Sequence, residues 1–225
     1  MTELSFEPFL ISFKLAFFTT CILFIFAVPF AWYLSQTKSK IKPIIEALTA
    51  LPIVLPPTVI GFYVLFSLSA NSTIGMFFEE NFGISLVFNF TGLVIASCFY
   101  SLPFMVQPLQ AAIENLPKSL IEASYICGKN TFETILFVIL PNIKPALITA
   151  IVITFAHTVG EFGVVLMIGG SIPGETKVAS IAIYEFVETL DYDMAHIYSA
   201  IMLGISFIVL FFVYLFNFKS KAKHV

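Results

Sequence analysis

Residues 122–141 read EASYICGKNTFETILFVILP, and this polar passage decides how the rest of the chain is read. It interrupts a sequence that is otherwise a succession of long apolar runs. Pro117, just upstream, lacks only an N–H that the first turn of a helix leaves unpaired, so it starts a helix well. Residues 118–127 are then expected as about two to three helical turns, closed by Gly128 in a left-handed conformation. Leu116, Leu120, Ala123 and Cys127 recur at helical spacing, with Glu122 at the rim. That pattern suits a helix laid into a partner's groove. A helix resting on a membrane surface carries the same pattern. Pro141 has no N–H to donate and disrupts a helix, so a bend is expected where the chain returns to its apolar course.

Working outward, the 225 residues are 59% hydrophobic and only 11% charged, with 27 phenylalanines. A soluble domain carries about a quarter charged residues, so this composition excludes one of any size. A spanning helix takes roughly 20 apolar residues. Runs of that kind occur at about 9–34, 47–68, 86–109, 145–168 and 197–218, which predicts an all-α, polytopic membrane protein of about five transmembrane helices in a single domain, 1–225. The first run is too long for a cleaved signal peptide and is kept as a span. Residues 178–187 (VASIAIYEFV) are apolar but too short to cross, and are expected as a helix lying on or dipping into the bundle. Cys21, Cys98 and Cys127 are scattered, with no metal-ligand spacing, and read as small packing residues.

The charges orient the spans. All 11 basic residues are lysines, and nine of them (Lys38, Lys40, Lys42, Lys118, Lys129, Lys144, Lys219, Lys221 and Lys223) fall on one side. Lys14 and Lys177 fall on the other. Excess lysine marks the cytoplasmic face, so the N-terminus is expected outside and the C-terminus inside. The loop 114–141 is then cytoplasmic.

Three apolar runs carry unusual residues. The second, LPIVLPPTVIGFYVLF, holds Pro52, Pro56 and Pro57 followed by Thr58 and Gly61. Such damage to a helix is tolerated in lipid only where protein or a watery cavity satisfies the freed backbone groups. Broken helices of this kind are where transporters place gates and sites. A packing kink is the plainer alternative. The third run carries Gln107 between Pro103 and Pro108. The fourth, FAHTVGEFGVVLMIGG, puts His157 and Glu161 four residues apart, hence on one helix face. Ionisable groups at that depth face the bundle interior or an aqueous path. Ala156, Gly160 and Gly163 would let another helix approach closely. Pro56, Pro57, Thr58, Gln107, His157 and Glu161 are therefore the candidates for a path or gate. Glu161 would repel an anion unless protonated or paired, so it is not assigned as a ligand. Two ligands at this spacing need a third, and no metal site is expected. A membrane-embedded enzyme built on His157 and Glu161 is a remote alternative.

The sequence Glu122-Ala123-Ser124, Gly128 and Leu140-Pro141 resembles the EAA loop of ATP-binding-cassette importer permeases. It departs from the usual pattern at Ser124 and Val138. LPIVLPPTVIGFYVLF, FAHTVGEFGVVLMIGGSIPGET and SIAIYEFVETLDY resemble the permease subunits of molybdate importers; sulfate/thiosulfate permeases are the nearest competitors. The resemblance implies a type I importer fold in the bacterial inner membrane, a homodimer, two cytoplasmic P-loop ATPases docked on the loop, and an extracytoplasmic protein delivering molybdate or tungstate. It implies ATP and Mg bound by the ATPase. The chain has no GxxxxGK[ST] loop, so no catalytic residue and no cofactor of its own are expected.

Overall fold

The computed structural model describes residues 4–221 and is helical throughout, with no strand among the described residues. Lys223 of the C-terminal lysine group, and His224, lie outside the described residues. Twelve α-helices follow in order: α1 (Glu7–Gln36), α2 (Lys42–Val54), α3 (Pro57–Leu68), α4 (Thr73–Phe82), α5 (Phe90–Glu114), α6 (Lys118–Ile126), α7 (Thr131–Thr134), α8 (Leu140–Asn142), α9 (Lys144–Val159), α10 (Gly163–Gly169), α11 (Ala179–Glu188) and α12 (Tyr192–Lys221). A π-helical turn, Ile135–Ile139, joins α7 to α8.

Among the described residues α1, α5 and α12 are the unbroken helices long and apolar enough to cross a membrane; counting each of two bent pairs as one span brings the number to five. The second apolar run is divided between α2 and α3, which are bent by 115°. The cause is local. A residue before proline is pushed out of the helical region, and Leu55 and Pro56 are both extended, with ψ of 142° and 137°. The other bent pair, residues 131–142 and α9, turns by 86°. The turn falls at Ile143, two residues beyond Pro141. Ahead of it the Leu140 N–H reaches back five residues to the Ile135 carbonyl. That wider turn makes room for the proline ring, which clashes with the carbonyl one turn back in a regular helix.

The fourth apolar run is not one helix. α9 ends at Val159, Gly160–Phe162 is a break, and α10 begins at Gly163. This corrects the expectation of a continuous span over 145–168. The third span starts later than expected and runs on through Pro103 and Pro108. Asn89 caps it by accepting from the Gly92 N–H at 2.8 Å. The segment 178–187 is α11, packed on α1 and α12; its first N–H donates to Ser12 Oγ at 2.9 Å. The short α4 has no counterpart in the hydropathy pattern. Ser72 accepts from Gly75 N–H at its start, and Gly83 at φ 65° closes it.

α1 and α5 form the axis of the packing. At the lysine-rich end Leu34, Leu109, Met105 and Ile139 are buried together. At the opposite end Leu15, Leu93, Val164 and Ile181 are. A third cluster holds Phe9, Ala182 and Tyr198, where α11 and α12 close onto α1.

The two broken spans meet through glycine. A Cβ added at Gly61 would stand 2.8 Å from Met167 Cβ and 3.3 Å from Val164 Cα; one at Gly163 would stand 3.0 Å from Pro57 Cβ. Gly160 plays no such part, since a Cβ there would touch only the carbonyls of its own turn. Gly61→Val therefore overpacks the α3–α10 joint, at an expected cost of about 1–3 kcal/mol. Gly204→Ala, which has open space, should stay within about 0.5 kcal/mol. Thermal unfolding of the purified variants checks this; equal midpoints for the two would contradict it.

Candidate functional site

The break at Gly160–Phe162 carries Glu161 into the interior, where it is 3% exposed. Two hydroxyls from α5 meet it. Ser97 Oγ donates to Glu161 Oε2 at 2.5 Å and Ser101 Oγ to Oε1 at 2.7 Å. Ser101 Oγ also lies 2.9 Å from His157 Nδ1 and 2.9 Å from Thr158 Oγ1. His157 and Glu161 themselves are 3.6 Å apart, so the serine bridges them. The main chain is held as well: Ser180 Oγ at the start of α11 donates to the Glu161 carbonyl at 2.5 Å. The carboxyl is thus turned into the bundle and fastens the break to α5. The expectation of His157 and Glu161 on one helix face is corrected: His157 sits in the last turn of α9 and Glu161 beyond its end.

His157 is half enclosed. Its ring stacks on Phe104 at a centroid distance of 4.0 Å and lies 4.8 Å from Tyr100. It borders an open cavity of about 520 Å³, walled by Pro57, Thr58, Tyr100, Ala156, His157 and Gly160–Gly163. The cavity therefore brings together the start of α3, the end of α9 and the start of α10. Pro57, Thr58, His157 and the Glu161 backbone share it, and Pro56 directly precedes it in the chain.

Gln107 does not belong there. Six residues from Ser101 along α5, or about 9 Å of rise, it borders a second cavity of about 430 Å³ at the lysine-rich end. Its neighbours are Glu46, Thr49, Ala50, Gln110 and Glu114. Lys42 Nζ reaches Glu114 at 2.9 Å and Glu46 at 3.7 Å, and Gln110 donates to both carboxylates. This network ties α2 to the end of α5, four residues before α6 begins.

The loop after α5 is built much as its sequence suggests. Pro117 precedes α6, and Gly128, at φ 79°, ends it. A Cβ at Gly128 would meet nothing, so the left-handed conformation alone calls for glycine. The burial pattern differs from the expected stripe. Leu116 packs into the core at the lysine-rich end, Ile121 and Ser124 face inward, and Ser124 Oγ meets Thr134 Oγ1 at 2.8 Å. Glu122, Ala123 and Cys127 are exposed, and beside them Ile126 and Phe132 are 87% and 72% exposed. Ser124 is thus a fastener, and the free surface is Glu122, Ala123, Ile126 and Phe132. Leu140 is half-buried and Pro141 exposed at the bend.

Ser97, Ser101, Lys42, Glu46, Gln110 and Glu114 were not among the sequence candidates. The spacing of Ser97 and Ser101, four residues apart in an apolar run, was the available signal for two of them. No group of three or more metal-ligating side chains converges among the described residues.

Known proteins match this arrangement. The family model described as "Binding-protein-dependent transport system inner membrane component" matches residues 16–221. The chain is 45% identical over 202 residues to the "Molybdenum transport system permease protein ModB" of Azotobacter vinelandii, covering 89% of each. It is 32% identical to the "Probable sulfate transport system permease protein cysT" of Chlorella vulgaris, over 94% of this chain and 79% of that one. Among solved structures, a chain of a bacterial ABC transporter involved in the import of the acidic polysaccharide alginate shares the fold with a TM-score of 0.72 at 16% identity, over 95% of this chain and 80% of that one.

Removing a serine leaves a buried carboxyl oxygen without its donor, which costs about 1–3 kcal/mol. Ser97→Ala and Ser101→Ala should each lower the thermal midpoint in detergent. Thr149→Ala, a half-buried position on α9 away from this cluster, should lower it less. A Ser101→Ala protein as stable as the parent would contradict the fastening role.

Proposed function

We propose that this chain, which belongs to the family of binding-protein-dependent transport system inner membrane components, carries molybdate. It is the permease of an ATP-driven importer in the inner membrane; it is not an enzyme, and the ATPase is a separate subunit. The observation that carries the cargo assignment is the 45% identity to a molybdenum permease over nearly the whole chain, against 32% to a sulfate permease. Sulfate stands as the second reading because that relative covers as much of the chain and because both cargoes are tetrahedral dianions.

The mechanism follows from the two joints. Two copies of the chain form the pore. The exposed face of α6, with Glu122, Ala123, Ile126 and Phe132, docks into a groove of the ATPase. ATP and Mg are held by that subunit. Motion of the loop passes to the membrane by two routes. One is the 86° bend at Ile143 into α9. The other is Glu114 at the end of α5, bonded to Lys42 at the foot of the broken second span, where Lys42 and Gln110 also hold Glu46. Both routes lead to the cavity at Pro57, Thr58, His157 and Gly160, which lines the path. An extracytoplasmic binding protein delivers the ion. Neutral hydrogen-bond donors suit such a path, because a site with strong fixed positive charge would hold the ion rather than pass it.

Two outcomes test this. Replacing Glu122 by Ala, or Gly128 by Val (which adds about 1–2 kcal/mol of strain at its positive φ), should abolish uptake. It should also weaken retention of the ATPase, while the protein still inserts in the membrane. Full uptake and full ATPase retention in both variants would overturn the docking role. In a competition assay of uptake, excess tungstate should displace molybdate and equal sulfate should leave most of it. Sulfate competing as well as tungstate would favour the second reading.

A further inference from the structure

A hydroxyl can donate one hydrogen bond and accept two. Ser101 Oγ has three partners at hydrogen-bond distance: Glu161 Oε1, His157 Nδ1 and Thr158 Oγ1. That count constrains the other ring nitrogen. His157 Nε2 makes no hydrogen bond with the described residues, and its ring borders the cavity.

When the His157–Glu161 pair holds no extra proton, Glu161 is an acceptor only and takes the Ser101 proton. Nδ1 of the neutral ring must then donate to Ser101. Nε2 is left as a bare lone pair, and the pair carries one net negative charge. When the pair holds one proton, that proton has two places to sit. On the ring, Nδ1–H still donates to Ser101, and Nε2–H is free. On Glu161, the carboxylic acid donates to Ser101, the Ser101 proton turns to Nδ1, and the neutral ring again carries its hydrogen on Nε2. Both arrangements give a neutral pair with a hydrogen on Nε2, the ring nitrogen that Ser101 leaves free in a residue that walls the cavity. A tetrahedral oxyanion offers acceptors only, so it is compatible with the protonated pair and opposed by the unprotonated one in both hydrogen bonding and charge.

We propose that the cavity between the two broken spans is a binding station for a tetrahedral oxyanion, with His157 Nε2–H as its side-chain donor and Ser101 as the positioning residue that links this donor to the proton held by the pair. The proposal rests on the reading of the chain as an oxyanion permease. The other titratable groups around the pair are Tyr100 and Cys98 on α5 and, from α11, Tyr184, whose ring packs on Phe162 at 5.0 Å and whose hydroxyl is bonded to Glu188. α3 brings only Pro57 and Thr58 to the cavity. Lys14 of α1 sits over the Phe90 ring, 4.4 Å from its centroid. Asp193 and His196 of α12 are exposed. The pair therefore supplies the proton that the station needs.

The test uses the complete transporter, this chain with its ATPase and binding protein in liposomes, and follows radiolabelled molybdate from mildly acidic to alkaline pH. ATP hydrolysis is measured alongside, so that the motor's own pH dependence divides out. Wild-type uptake per ATP should fall on the alkaline side, with a limiting slope of about tenfold per pH unit for one linked proton. Glu161→Gln, a neutral stand-in for the protonated acid, should flatten that fall. His157→Gln keeps an N–H donor whose presence no longer depends on the proton, and should transport with a shallower alkaline fall, left by the Glu161 charge alone. His157→Phe should lose uptake at every pH. Identical profiles for wild type and Glu161→Gln, or unimpaired uptake by His157→Phe, would overturn the proposal. A parallel arm with labelled sulfate separates the two readings. Sulfate carried in place of molybdate, with the same pH pattern, overturns the molybdate assignment and upholds the station. No oxyanion carried at all overturns both.

Discussion

In hydrocarbon a helix can be broken only where protein or enclosed water satisfies the backbone groups it frees. Two of the breaks in this chain are set against each other. Leu55 and Pro56 open the second span; Gly160–Phe162 opens the fourth. Gly61 and Gly163 let α3 and α10 come together so closely that a single methyl group would collide with the partner. Everything mechanistic in the molecule depends on that joint. The cavity lies at its edge, and the loop that carries α6 is connected to it through α5 and α9.

Glu161 shows how such a break is held. A carboxyl inside a bundle is costly unless its oxygens are bonded. Here both oxygens accept from α5 serines and the carbonyl accepts from Ser180. One residue therefore ties α5, α9, α10 and α11 at a single point. The acid group thus points into the protein, while the residue borders the cavity with its side chain enclosed.

Much of this was legible locally. The prolines at 56 and 57 announced a break because proline restricts both itself and the residue before it. Gly128 announced the end of α6. The apolar runs placed α1, α5 and α12. What stayed hidden depended on partners distant in sequence. The i, i+4 spacing of His157 and Glu161 reads as a helix face only if the helix continues, and hydrogen bonds from Ser97, Ser101 and Ser180 are what hold it open. Gln107 looked like a companion of His157, but six residues of α5 carry it to a different cavity beside Glu46 and Glu114. On α6 the periodicity located a helix correctly, while Ser124 and Ile121, rather than the solvent side, turned out to be the packed face.

The central claim is that cargo passes through the cavity between the broken spans. Thr58, exposed at its wall, offers the most direct measurement. With Cys21, Cys98 and Cys127 replaced, a single cysteine at Thr58 would be challenged with a membrane-impermeant thiol reagent in the assembled transporter, with and without nucleotide and molybdate. The account predicts labelling that changes with nucleotide state and is slowed by the oxyanion. A transport-competent protein in which this position is unreactive in every state, or reacts equally in all of them, would contradict it.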